Sequence, residues 1–184
     1  MSERCAAANA IGEPVGRGVP AGVGFVLNRQ TIIGERTVMP TRTARTAWTG
    51  TLQEGSGQVE LASSGVGKYD VSFPKRSAEE ADGTTSPEEL IAAAHSSCYA
   101  MALSAQIGNA GGTPENLDVT ADVTLGPDPA GGFRITGIAL TVRGRVSGID
   151  ADAFQAAAEA AKAGCPVSKA LAGVDHITLD AALA

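Results

Sequence analysis

Apolar and polar positions change their spacing several times along the chain. Up to about residue 40 neither the strand period nor the helix period is sustained, and Gly and Pro recur throughout. Residues 1–40 are therefore read as an irregular N-terminal tail and residues 41–184 as one domain. Alternation begins in "RTARTAWTGTL" (42–52) and continues in "GQVELAS" (57–63) and "KYDVSFP" (68–74), with the turn-forming stretches "QEGSG" and "SGVG" between them. These predict a three-stranded meander. A polar loop follows, and then "TTSPEELIAAAHSSCYAMALSAQIG" (84–108), apolar or small around nearly its whole circumference, which predicts a helix buried on all sides. Ser86 suits its N-cap, Pro87 its first position, and Glu89 completes an S-x-x-E capping box; Gly108 to Gly112 should end it.

Strict alternation returns in "LDVTADVTLG" (117–126) and "FRITGIALTVRGRV" (133–146), joined by "PDPAGG". Asp150 caps a helix over "ADAFQAAAEAAKAG", Gly164 stops it, "CPVSKAL" opens a short helical turn, and "VDHITLDAAL" (174–183) is a last strand. The order β-β-β-α-β-β-α-(α)-β implies an α+β fold with helices packed on antiparallel sheet.

Composition narrows the function. The net charge of −6 disfavours a general nucleic-acid or anionic-membrane surface, since both need a basic face. The most apolar stretch is interrupted by His95, Ser96 and Ser97, which argues against a membrane span. The start "MSERCAAANAIG" carries Glu3 and has no apolar core, so no secretory signal is read there. Met39-Pro40 stands just before the first strand pattern, and two readings follow: Met39 is the native start, or the preceding residues are an arm that binds a partner. Three cysteines, an odd count in a chain large enough to fold unaided, suit a reducing cytoplasmic compartment rather than a disulfide framework.

Cys5 lies in the tail and is read as incidental. Cys98 falls mid-helix; Cys165 follows a Gly stop and precedes Pro166, so its thiol lies near the positive end of a helix dipole, which lowers a thiol pKa. Three readings remain open on residue type and spacing alone. Both cysteines can be core packing. His95, Cys98, Cys165 and His176 carry zinc-type donor atoms. Or the two thiols form a redox couple, which requires a cation near one and bridging distance between both. His95 itself reads most simply as a hydrogen-bonded core histidine, and His176 as structural. Leu90, Ala94, Met101 and Ala102 surround Cys98 in sequence, and with Phe73 and Tyr99 they are read as core that could also wall an apolar pocket.

"TSPEELIAAAHSSCYAMALS" followed by "AKAGCPVSKAL" resembles the OsmC/Ohr family of thiol-dependent organic peroxide reductases. The Ala-His pair before the cysteine and "CPVS" rather than "CPYS" resemble its OsmC branch. The resemblance spans about residues 42–184. It implies the OsmC-like fold, antiparallel sheets around a central buried helix, as an intertwined homodimer with active sites near the subunit interface. It implies that Cys98 is the peroxidatic cysteine and Cys165 the resolving one, that Glu88 positions an arginine, and that Arg76 in "FPKR", at the end of the third strand, is that arginine. The loop from Arg76 to Pro87 is longer than the family pattern, and Lys75 and Arg45 are the fallback cations. The implied substrate is an organic hydroperoxide and the implied reductant a dithiol of dihydrolipoamide type, with no metal or other cofactor. The competing functions are a Cys98 thioesterase or acyl transferase using His95 as base, and a non-catalytic redox sensor.

Overall fold

A computed structural model of the chain describes residues 40–184; the tail, with Cys5 and Met39, lies outside the described residues. The first sheet is the meander β1 (Arg45–Thr49), β2 (Ser56–Glu60) and β3 (Lys68–Val71), antiparallel and in sequence order. Register puts Thr46, Val59 and Tyr69 side by side on one face, and Arg45, Glu60 and Lys68 on the other. The second face is charged, with Lys68 Nζ 3.3 Å from Glu60. The apolar face is poorly covered within the chain: Trp48 is 43% exposed, and of the sheet's side chains only Val59 is buried.

The third strand is shorter than its pattern predicts. It stops at Val71, and Ser72 accepts a hydrogen bond from the Lys75 N–H, starting a one-turn helix α1 (Phe73–Arg76). The expectation of a strand through Pro74, with Arg76 at its end, is corrected. Pro74 has no N–H for a ladder, and it suits a first helical turn.

Helix α2 (Pro87–Asn109) begins as expected, with Ser86 Oγ accepting from the Glu89 N–H at 3.1 Å. The Glu89 carboxylate takes a hydrogen bond from Thr85 Oγ1, so the second half of the capping box is replaced by a neighbour. The helix continues through Gly108 and is closed by Gly111 at φ +84°, with the Gly112 N–H donating to the Ile107 carbonyl at 3.0 Å. It is not buried on all sides. Glu88, His95, Tyr99, Leu103 and Ile107 form the buried stripe, whereas Ala94, Ser97, Met101, Ser104 and Ala105 face outward, with Met101 68% exposed. The outward face therefore mixes small and apolar residues with serines, and Met101 is the large apolar side chain on it.

The second sheet comprises the long hairpin β4 (Thr113–Pro127) and β5 (Phe133–Ser147), with β6 (Ile177–Leu183) alongside β5. β6 runs parallel to β5, so the sheet is mixed; a parallel return needs a crossover, supplied by α3 (Ala151–Gly164) and α4 (Pro166–Ala170). The predicted cap on α3 is present, Asp150 Oδ1 accepting from the Ala153 N–H at 2.9 Å. The core lies where α2 and α3 meet the inner face of β5: Tyr99, Leu103 and Ile107 against Leu140, Val142, Phe154, Ala158 and Ala161. Gly144 continues the inward row of β5 but leaves room for Phe154, whose ring would stand 2.9 Å from a Cβ placed there. Tyr99 closes the polar account by donating to the Ala158 carbonyl at 3.0 Å.

Candidate active site

α2 and α4 bring two sulfurs together. Cys98 is one turn beyond His95 on the inner side of α2, and Cys165 is the junction where α3 ends and α4 begins. Their Sγ atoms lie 3.3 Å apart and both are reduced. A disulfide needs about 2.05 Å, so the two sulfurs have little more than an ångström to close. The neighbours differ. Cys165 is 0% exposed, while Cys98 is half-buried.

Electrostatics also separates them. Burial opposes ionisation of Cys165, but it is outweighed by the neighbouring Ser168 backbone N–H, Cys98, the Ser168 hydroxyl and the Val167 N–H, and the thiol lies below its ordinary value. Cys98 is pushed up by burial and by Cys165, with only the Val167 N–H working the other way.

A second constellation sits at the start of α2. Arg76 Nε reaches the two carboxylate oxygens of Glu88 at 3.2 and 3.0 Å, and Nη2 reaches Oε1 at 2.6 Å. Burial opposes the Glu88 carboxylate, yet the guanidinium holds its pKa below the ordinary value, and Glu88 raises that of Arg76 in return. Arg76 borders an apolar cavity of about 460 Å³ beneath the first sheet, where it is joined by Trp48, Val59, Phe73 and Leu90.

The four predicted residues thus meet as two pairs rather than one cluster. Glu88 and Cys98 are ten residues apart on α2, roughly 15 Å along the axis. Of the fallback cations, Lys75 is paired with Asp82, and Arg45 is exposed on β1 opposite Glu60. Phe73 and Leu90 do line a pocket, but Tyr99 is wholly core. His95 is engaged elsewhere: its Nε2 lies 2.8 Å from Ser168 Oγ. No three His, Cys, Asp or Glu side chains converge as a metal site among the described residues, and His176 stands instead at the foot of β6 beside Asp122 and Thr124. Ser168 is the site residue that sequence reasoning missed. The only signal for it was its position three residues after Cys165, one helical turn away.

Residues 80–180 match the family model described as OsmC-like protein. Peroxiredoxin OsmC of Escherichia coli (strain K12) is 46% identical over 133 residues, 72% of this chain and 90% of that protein. The organic hydroperoxide resistance protein OhrA of Bacillus subtilis (strain 168) is 32% identical over 124 residues, 66% of this chain and 85% of its own. Among solved structures, an organic hydroperoxide resistance protein from Elizabethkingia anophelis superposes with a TM-score of 0.62 at 29% identity, covering 78% of this chain and 98% of that one. One from Legionella pneumophila, described as OsmC, gives 0.61 at 27% with the same coverage. The α+β architecture, the matched segment enclosing both thiols, and the greater identity to the OsmC relative than to OhrA lead to one conclusion: the chain belongs to the OsmC family, in its OsmC branch.

Proposed function

We propose that this protein is a cysteine-dependent peroxidase that reduces organic hydroperoxides to alcohols. The observation that carries the reading is the 3.3 Å approach of two reduced thiols with unequal exposure. Access assigns the roles. A peroxide can reach Cys98, whereas Cys165, although it ionises more readily, is sealed. The Cys98 thiolate attacks the outer oxygen of ROOH; the O–O bond breaks, the alcohol leaves as its alkoxide and takes a proton, and Cys98 becomes a sulfenic acid. The Cys165 thiolate attacks the Cys98 sulfur and expels hydroxide, giving the disulfide. An external dithiol, of lipoyl type in this reading, reduces it by two exchanges and leaves as its own disulfide.

Cys98 needs a cation to give up its proton, and its own chain's Arg76 is too distant. A second copy supplies it: in the homodimer, the Arg76–Glu88 pair of one subunit faces the thiol pair of the other, and the open face of α2 and the uncovered side of the first sheet are buried. Guanidinium suits this role because it stays charged at any working pH and donates in a fixed fork to the developing alkoxide. Apolar lining beside Arg76 favours a carbon-bearing peroxide over hydrogen peroxide. Consumption of cumene hydroperoxide in the presence of a small dithiol tests the reading. Wild-type turnover should be abolished in Cys98→Ser; retention in that variant ends the proposal.

A further inference from the structure

His95 is fully buried, yet one of its nitrogens has no partner. Nε2 lies 2.8 Å from Ser168 Oγ, while Nδ1 is enclosed without any hydrogen bond. Burial lowers the imidazole pKa, so the ring is neutral and carries one proton. An enclosed N–H without an acceptor is costlier than an enclosed lone pair without a donor. The proton therefore belongs on Nε2, which donates to Ser168 Oγ. That leaves the Ser168 hydroxyl hydrogen for a third atom. Ser168 is 8% exposed and lies one turn after Cys165, and its hydroxyl is among the groups that hold that thiol's pKa below its ordinary value.

We infer that His95 and Ser168 form a positioning relay for the resolving thiol: Nε2–H of His95 orients the Ser168 hydroxyl so that its hydrogen points at Cys165 Sγ. The inference rests on the peroxidase reading and extends it to two steps. When the Cys165 thiolate attacks the Cys98 sulfenic acid, forming the S–S bond and expelling hydroxide, the relay has kept the nucleophile ionised. When an external dithiol later attacks the half-buried Cys98 sulfur, the S–S bond breaks toward Cys165, and the same hydrogen bond receives the departing thiolate. Both the electron pair and the negative charge end on the buried sulfur, where no solvent is present to stabilise them.

The relay predicts a property measurable without peroxide. With Cys5 and Cys98 changed to Ser, the ultraviolet absorbance of the thiolate reports Cys165 alone. Ser168→Ala should raise its titration midpoint by about one unit, the typical effect of losing one hydrogen bond to a charged group. Ser168→Thr and His95→Gln, which keep the hydroxyl and an Nε2 donor, should stay near the parent, and His95→Leu should shift toward Ser168→Ala. In the chain with all cysteines, Ser168→Ala should close the disulfide about threefold more slowly below the midpoint, since lost thiolate is partly offset by greater nucleophilicity. Equal midpoints in parent and Ser168→Ala, or equal behaviour of His95→Gln and His95→Leu, would overturn the relay. A shifted midpoint in a protein that fails to oxidise at Cys98 would instead leave the relay standing and remove the peroxidase reading.

Discussion

Replacing Glu88 by Gln keeps the shape of the side chain and removes its charge. In the native protein three N···O contacts between 2.6 and 3.2 Å join it to Arg76, and the side chains are 11% and 30% exposed respectively. Hydrogen bonds between charged partners contribute about 1.5–3 kcal/mol, and partial exposure of the guanidinium reduces this to about 1–2 kcal/mol for the exchange of carboxylate for amide. For a domain of this size that corresponds to a fall in Tm of about 2–8 °C at neutral pH. The loss should vary with pH in a defined sense. The Glu88 pKa is depressed in the folded state from its ordinary 4.5. Its stabilisation is therefore complete above 4.5 and disappears as pH falls through the lower folded value. Thermal melts of wild type and Glu88→Gln, at one protein concentration and across an acid series, should converge below pH 4.5. A gap that is absent at neutral pH, or that persists undiminished in the acid limit, would refute the pairing. The variant should also lose peroxide turnover, because a released Arg76 no longer holds its fork toward the thiol.

Cys165→Ser should react once with peroxide and halt as a Cys98 sulfenic acid that dimedone traps; sustained turnover with dithiol would remove the resolving role. Co-expressed Arg76→Ala and Cys98→Ser chains should regain part of the activity that each lacks alone, since one of the two sites in a mixed dimer is intact if Arg76 acts across the interface; a mixed dimer as inactive as its parents would place the arginine in its own chain's site. Phe154→Ala, which empties the space beside Gly144, should lower stability by about 3–5 kcal/mol in denaturant unfolding; a loss under 1 kcal/mol would mean that α3 closes onto β5.

Alternation placed the hairpin β4–β5 close to its observed bounds, because one face of it lies in a core that enforces its period, while caps and glycine stops placed both long helices. The helix caps were legible for a local reason: Ser86 and Asp150 act on N–H groups within three residues. The chain from Val71 to Arg76 was misread because Phe73 and Pro74 fit a strand end by composition, while Ser72 decides for a helical turn through one hydrogen bond. The open face of α2 could not be read at all. An apolar helix has the same sequence whether its far side packs against its own chain or against another. The two cysteines were legible as candidates, but their approach joins positions 67 residues apart and depends on how α4 crosses α2. Ser168 and the Nε2 proton of His95 follow only from that crossing.

The central claim is that Cys98 and Cys165 are a redox couple driven by an organic hydroperoxide. Peptide mapping by mass spectrometry, after reduced protein meets one equivalent of cumene hydroperoxide, tests it most directly. One cross-linked species is expected, two hydrogens lighter than its parts and joining Cys98 to Cys165, which a dithiol reverses and which Cys98→Ser does not form. Recovery of both cysteines as free thiols, with the hydroperoxide unconsumed, would contradict it.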